Sequence, residues 1–459
     1  MALIIPSWLA FQTYMFGTKN SRTFISNERL HEYILLEGLA SDLWKLIADT
    51  EDYDKVKEWA EGRGLASELD GFIEELKAQD LLMNENIKNS DTDIQPVGCD
   101  NENETLKLTS EMTEWCYKHG FLFSLFVELT YACNLKCVHC YNPKNISNVQ
   151  IDFEKMKQII DEARKIGVMN ITFSGGESTL DKDFIKIVEY AREKRMSVEI
   201  FTNGQTLYDN SELFNSLINL YPFRIGLSLY SLNEETHEKI TSVKGSYHKT
   251  LNVIERLRKE NISVEIKNFL LNTNCNDCVS VKNYAKQINA TSVADLSLIP
   301  TIEGDNKTLQ YVVREDDLFE LYTNSDSPLY LKNIKKRNIE KIKNDNLCFA
   351  GCYTLCINPN LEVHPCVSLP INLGNLKEIK LKDIWENALN KNHDSKLYQW
   401  QQVKYKDLQE CYKEDYCAFC GYCAGMGMLE NGYLKKSDIL CRQAKVKQKA
   451  YLVNQIEVE

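Results

Sequence analysis

Apolar residues recur along this chain in two rhythms, a helical period and short continuous runs, and the alternation between them lays out the architecture. Up to Met83, the run Ile34-Leu35-Leu36-Glu37-Gly38 reads as a strand. Helical spacing follows in Ala40–Asp49, where Leu43, Trp44, Leu46 and Ile47 share a face, and again in Tyr53–Trp59 and Ser67–Gln79. These elements predict a small α/β module of winged-helix type over residues 1–83. Residues 84–117 are expected to be a linker, because Asn84–Asn103 is rich in Asn, Asp, Ser and Thr and has no period.

Between residues 118 and 308, strand and helix patterns alternate. Strands are predicted at Phe121–Glu128, Ile171–Phe173, Ser197–Thr202, Arg224–Leu229, Ser263–Leu270 and Ser292–Leu298. Helices are predicted between them at Phe153–Ile166, Asp183–Lys194, Ser211–Leu220, His248–Lys259 and Val279–Gln287. Repeated βα units demand a parallel sheet, and about six of them fit a partial (β/α)6 TIM-like barrel. The fold class is therefore α/β: a partial barrel with a winged-helix-like module before it and a small Cys-rich domain after it. In such a barrel the chemistry belongs at the C-terminal strand ends. Residues 309–346 predict a helical bridge, with helices over Asp317–Leu331 and Asn333–Lys343. Residues 347–459 are loop-rich with little core of their own, a composition that needs metal to fold.

Composition narrows the classes. The chain has 459 residues, 43% hydrophobic and 26% charged, as a globular protein with a sizeable core does. A net charge of −12 argues against a nucleic-acid partner. The apolar opening Ala2–Phe16 lacks a basic flank and is broken by Pro6, Gln12 and Thr13. Neither a signal peptide nor a membrane span is expected, and the expected location is the cytoplasm. The 16 cysteines are the outlier. In a long chain without a signal peptide they point to metal or redox chemistry rather than disulfides.

Three of them form Cys133-Asn134-Leu135-Lys136-Cys137-Val138-His139-Cys140, just after a strand. Three thiolates at these intervals wrap one face of a cubane and leave one iron open. A zinc site is the competing assignment, but it favours paired cysteines and four closed ligands. Ser174-Gly175-Gly176-Glu177 follows the next strand. It is either a plain turn or a loop whose glycines admit a ligand to the backbone while Glu177 accepts from an ammonium group.

Cys-x3-Cys-x2-Cys followed by Gly-Gly-Glu resembles the radical S-adenosylmethionine (SAM) superfamily over roughly residues 118–300. The resemblance implies that Cys133, Cys137 and Cys140 hold a 4Fe–4S cluster whose open iron is chelated by SAM. It further implies that Ser174, Gly175, Gly176, Glu177, Thr202, Asn203 and Ser228 contact SAM. Reductive cleavage of SAM would give a 5′-deoxyadenosyl radical that abstracts a substrate hydrogen. His139 departs from the pattern, which usually has Phe, Tyr or Trp there. No catalytic acid or base is assigned.

Nine further cysteines lie between Cys348 and Cys441, too many in so short a span for core packing. This segment resembles the SPASM extension, which carries two auxiliary 4Fe–4S clusters. Zinc in part of the segment is the alternative. The family order implies Cys348, Cys352, Cys366 and Cys423 for the nearer cluster and Cys411, Cys417, Cys420 and Cys441 for the distal one. Cys356 is left spare, and Cys275 and Cys278 are taken as incidental. The first module resembles the peptide-recognition element of ribosomal-peptide maturases, with a structural cap as the plainer alternative.

These resemblances imply SAM and three 4Fe–4S clusters, a precursor peptide with a leader segment, and a reducing partner such as flavodoxin or ferredoxin. The expected function is an oxidative cross-link, thioether or carbon–carbon, in that peptide. Peptide epimerisation and formylglycine formation are rivals within the class. An iron–sulfur electron carrier or scaffold is the non-enzymatic rival, disfavoured because it needs no Gly-Gly-Glu loop. A DNA-binding redox regulator is disfavoured by charge.

Overall fold

Three antiparallel strands open the chain: β1 (Leu9–Tyr14), β2 (Arg22–Asn27) and β3 (Glu32–Glu37), in the order β1-β2-β3. The computed structural model describes residues 2–83, 102–142, 149–332, 336–408 and 410–456. Alternate residues of the small sheet point to opposite faces. Leu9, Phe11, Ile25, Ile34 and Leu36 meet the helices α1 (Leu39–Thr50), α2 (Tyr53–Glu61) and α3 (Ala66–Ala78) around buried Trp44 and Ile47. Ala10, Tyr14, Phe24 and Tyr33 face the other way and pack on Met112 and Cys116 of α4 (Glu102–His119) and on Phe123, Met169 and Phe223. The N-terminal module thus shares a core with the larger domain C-terminal to it.

Two expectations are corrected here. β1 and β2 were not among the predicted elements, and residues 102–117 of the expected linker are helix rather than linker. Amphipathic α4 buries Met112 and Cys116 at a four-residue interval, which is why it docks. Residues 84–101 of the linker, with Cys99, lie outside the described residues.

The second sheet runs β4 (Ser124–Thr130), β5 (Asn170–Gly175), β6 (Ser197–Thr202), β7 (Arg224–Ser228), β8 (Val264–Phe269) and β9 (Thr291–Asp295), all parallel. Helices α5 (Phe153–Lys165), α6 (Phe184–Glu193), α7 (Gln205–Asp209), α8 (Ser211–Ile218), α9 (Glu234–Thr241), α10 (Ser246–Lys259) and α11 (Cys278–Gln287) connect the strands. Leu125, Val127, Ile171, Phe173, Val198, Ile200, Ile225, Leu227, Val264 and Ile266 form the face buried against helices. Each such side chain contributes about 1.5–3 kcal/mol by leaving water. This is the expected partial barrel.

The bridge is shorter than expected. α12 (Glu315–Thr323) stops well before Leu331, and of the second helix only the single turn α13 (Ile339–Ile342) is described, residues 333–335 lying outside the description. The last domain also differs from expectation. β10 (Thr354–Ile357) pairs in parallel with β4, and β11 (Glu362–His364) and β12 (Gly374–Asn375) extend the sheet antiparallel, giving nine strands. Leu355, Ile357 and Val363 join the barrel core with Leu381, Ile384 and Trp385 of α14 (Leu381–Leu389) and Leu397 of α15 (Lys396–Gln401). The first half of the Cys-rich domain is therefore built on the barrel, not on metal alone. α16 (Ala424–Asn431) and α17 (Asp438–Ile456) complete the chain, α17 lying along α12.

Candidate functional site

β4 and β5 are neighbours, so the loops leaving their C-terminal ends meet at one mouth. The Gly176 N–H donates to Thr130 O at 2.7 Å and the Glu177 N–H to Ala132 O at 2.8 Å. This contact requires glycine. A Cβ at Gly175, where φ is +135°, would sit 2.4 Å from Thr130 O, and one at Gly176 would sit 2.3 Å from Ala132 O. The glycines thus seat their loop directly on the start of the cysteine loop.

Glu177 is fully buried, and burial raises its pKa against the hydrogen bonds that lower it. Its Oε1 accepts from the Thr179 amide and hydroxyl and from the Thr202 hydroxyl at 2.6 Å; Oε2 accepts from the Asn203 amide at 2.7 Å. The carboxylate ties the end of β5 to the end of β6, and Oε2 retains a lone pair for one more donor. Asn203 then reaches the cysteine loop, its Nδ2 lying 2.8 Å from Asn134 Oδ1 and 3.7 Å from Cys133 Sγ. Cys137 Sγ lies 4.0 Å from the Tyr230 hydroxyl, two residues beyond Ser228. Cys140 lies close enough to raise the pKa of Cys133, and Cys140 and Cys133 that of Cys137, although burial is the larger cause and pushes both up to about 12. His139 lies flat on Phe269, centroids 4.9 Å apart, so a ring does occupy the aromatic position of the motif.

The inner face of the barrel sheet carries groups the sequence reading missed. Arg224 pairs with Glu199 at 2.6 Å and Glu265 at 3.0 Å, and Lys267 pairs with Glu265. Above them Glu128, 4% exposed, accepts from the Tyr141 hydroxyl at 2.9 Å. Burial pushes its carboxyl up to about 7. The available signal was a lone Glu in the apolar run Leu125-Phe126-Val127-Glu128-Leu129.

The later cysteines fall into two groups. Cys348 feels the charge of Cys423 and Cys366, Cys352 that of Cys348, and Cys423 that of Cys366. Separately, Cys420 feels Cys441, Cys411 and Cys417, and these four line one cavity of about 370 Å³ with Lys413, Lys436 and Tyr422. A water molecule occupies about 30 Å³ of liquid, so this space admits a many-atom group. Among the described residues no three Cys, His, Asp or Glu side chains converge on a single ion. Cys356 is buried in β10, beside Glu128 and Cys366. Cys275 and Cys278 are buried in an apolar cluster with Leu270, Val313 and Tyr322.

A cradle of three thiols, a glycine loop pressed on it and a carboxylate fastening both to the next strand suits an iron–sulfur cluster that shares its open side with an amino acid. That defines a class, radical SAM chemistry on a partial barrel. A model of the radical SAM superfamily matches residues 127–273, and one of SPASM, an iron–sulfur cluster-binding domain, matches residues 348–424. The chain thus carries a radical SAM domain and a SPASM domain, and its cofactors are SAM and 4Fe–4S clusters.

Among curated relatives, the AdoMet-dependent heme synthase of Methanosarcina barkeri is 28% identical over 57% of this chain and 81% of its own length. The antilisterial bacteriocin subtilosin biosynthesis protein AlbA of Bacillus subtilis is 29% identical over 70% of this chain and 71% of its own. Among solved structures, Streptococcus suis SuiB bound to precursor peptide SuiA is 16% identical and shares the fold, with a TM-score of 0.56 over 95% of this chain and 99% of that one.

Proposed function

We propose that this enzyme matures a ribosomally synthesised precursor peptide by forming an oxidative cross-link, either thioether or carbon–carbon. The observation that carries the proposal is the open edge of the N-terminal sheet. The β1 edge is taken: the Phe11 amide donates to Arg195 O at 2.9 Å, and the Arg164 guanidinium donates to Phe11 O at 2.9 Å. No strand pairs with the outer side of β3 among the described residues, and half-exposed Leu39 comes just after it. An extended leader segment can add there as a fourth strand. The bacteriocin role in AlbA's name and the peptide in the SuiB structure support the reading; the heme synthase is the competing precedent.

Within this reading Cys133, Cys137 and Cys140 hold the SAM-binding cluster. Ser174, Gly175, Gly176, Glu177, Thr202, Asn203 and Ser228 face SAM. Cys348, Cys352, Cys366 and Cys423 hold one auxiliary cluster, and Cys411, Cys417, Cys420 and Cys441 the other. Bound together, SAM and its cluster supply a radical able to take a hydrogen atom from an unactivated carbon. An oxidative cross-link also releases an electron, which an auxiliary cluster would accept, and a proton. Glu128 suits its capture, because it sits on the inner barrel face with a pKa near neutrality, whereas Glu199 and Glu265 are already paired with cations. The absence of a helix long and apolar enough to cross a membrane, among the described residues, accords with a cytoplasmic location.

Fluorescence anisotropy of a labelled candidate precursor on the full chain tests the proposal. Binding is expected to depend weakly on salt, since main-chain hydrogen bonds carry it. It should weaken about tenfold or more with Leu39→Asp, an exposed position clear of the module's core, a loss of about 1.4 kcal/mol. Turnover of a tetrapyrrole with no peptide bound would overturn it.

A further inference from the structure

We propose that the face around the Cys411, Cys417, Cys420 and Cys441 cavity is the docking surface for a small acidic electron-transfer protein. The proposal rests on reading that cavity as an iron–sulfur site.

The distribution of charge favours it. The chain is acidic overall, yet residues 435–449 hold six Lys or Arg and one acid, Asp438. These residues lead into and form α17, which supplies Cys441 to the cavity. A second basic segment, Lys336 to Lys343, runs beside the same cysteines. The Arg337 amide donates to Ala418 O at 2.9 Å, its guanidinium donates to Cys420 O at 3.2 Å, and the Lys406 amide donates to Lys343 O at 2.9 Å. Lys413 and Lys436 line the cavity itself, and Lys445 lies over the Tyr416 ring at 5.1 Å.

Acids offset part of this field: Lys436 faces Asp438 at 3.7 Å and Lys449 faces Glu315 at 4.0 Å. Glu410 and Glu414 also line the cavity, and Glu410 pairs loosely with Lys435 at 3.7 Å. Lys413 and Lys445 are exposed and have no ion-pair partner among the described residues. All four thiols are themselves partly exposed. A concentrated basic face on an acidic molecule orients an acidic partner from a distance, speeding encounter and setting its register. The partner gives up one electron and the chain takes it up; no bond is made or broken.

The test uses the reconstituted full chain and a recombinant acidic flavodoxin. Affinity is measured from flavin fluorescence across a salt series, for the parent and for Lys413→Glu, Lys436→Glu and Lys445→Glu combined. A control variant carries Lys55→Glu and Lys57→Glu on α2. Affinity is expected to fall with salt in the parent, to drop about tenfold or more in the triple variant, and to hold in the control. An unchanged triple variant, or an equal loss in the control, would overturn the proposal. Should the triple variant fail to load iron, the parent's salt series decides, and a salt-independent affinity rejects it. SAM cleavage driven by dithionite needs no protein partner and so tests the radical SAM reading separately. Zinc found in the cavity would remove the premise while leaving that reading standing.

Discussion

Spacing marks Cys133, Cys137 and Cys140 as a three-thiol loop with zinc as its competitor, and their proposed role as ligands of the SAM-binding cluster comes from the resemblance. Replacing all three by Ala should abolish 5′-deoxyadenosine production and lower bound iron from about twelve to about eight per chain. Product above background in the triple variant would refute the assignment. Glu177 was legible as important but not in its full role. The spacing cannot reveal that its oxygens accept from Thr179, Thr202 and Asn203, since that depends on which strand ends adjoin. Glu177→Ala strands several buried donors, each costing about 1–3 kcal/mol. The variant should therefore lose thermal stability as well as SAM affinity by equilibrium dialysis, while loss of affinity alone would argue for a pure ligand role. Glu128 escaped the sequence reading because a single carboxylate in a strand carries no motif.

Among the elements, the βα units of the barrel were read within a few residues because their apolar runs are long and regular. β1 and β2 were missed because Gln12 and Thr13 interrupt the first, while Arg22, Thr23, Ser26 and Asn27 give the second a polar look. Four-residue β10 was missed because its identity is set by the vacant edge of β4. The module interface also holds a titratable pair: Glu28 is buried 3.5 Å from Arg192 of α6, and burial pushes its carboxyl up to about 8 despite that cation. A carboxyl whose folded pKa is raised contributes stability that is complete below its unfolded value and is lost as pH rises through the folded one. The melting temperature of the parent, compared with that of Glu28→Gln, should therefore fall steadily between about pH 4.5 and pH 8. A difference that stays flat across this window would contradict the buried placement. The shared core has a further consequence. Removing the residues before Asn84 bares Met112, Phe123, Met169 and Phe223, so the truncated chain is expected to aggregate rather than survive as an isolated barrel. A soluble truncation with normal SAM cleavage in size-exclusion fractions would show the module to be detachable.

At the scale of the whole molecule, one sheet ties the loops proposed to face SAM to the Cys-rich domain, and one shared core ties the N-terminal module to the barrel. The chain thus places an unpaired strand edge proposed to receive a peptide, a proposed radical source and a basic surface by the distal thiols on a single framework. The central claim is that the radical acts on a peptide. The most direct measurement incubates the reconstituted, reduced enzyme with SAM and a short peptide encoded beside its gene, then weighs the peptide by mass spectrometry. The account predicts a peptide lighter by two hydrogens per cross-link, formed together with 5′-deoxyadenosine. A peptide of unchanged mass while SAM is consumed on a tetrapyrrole would contradict it.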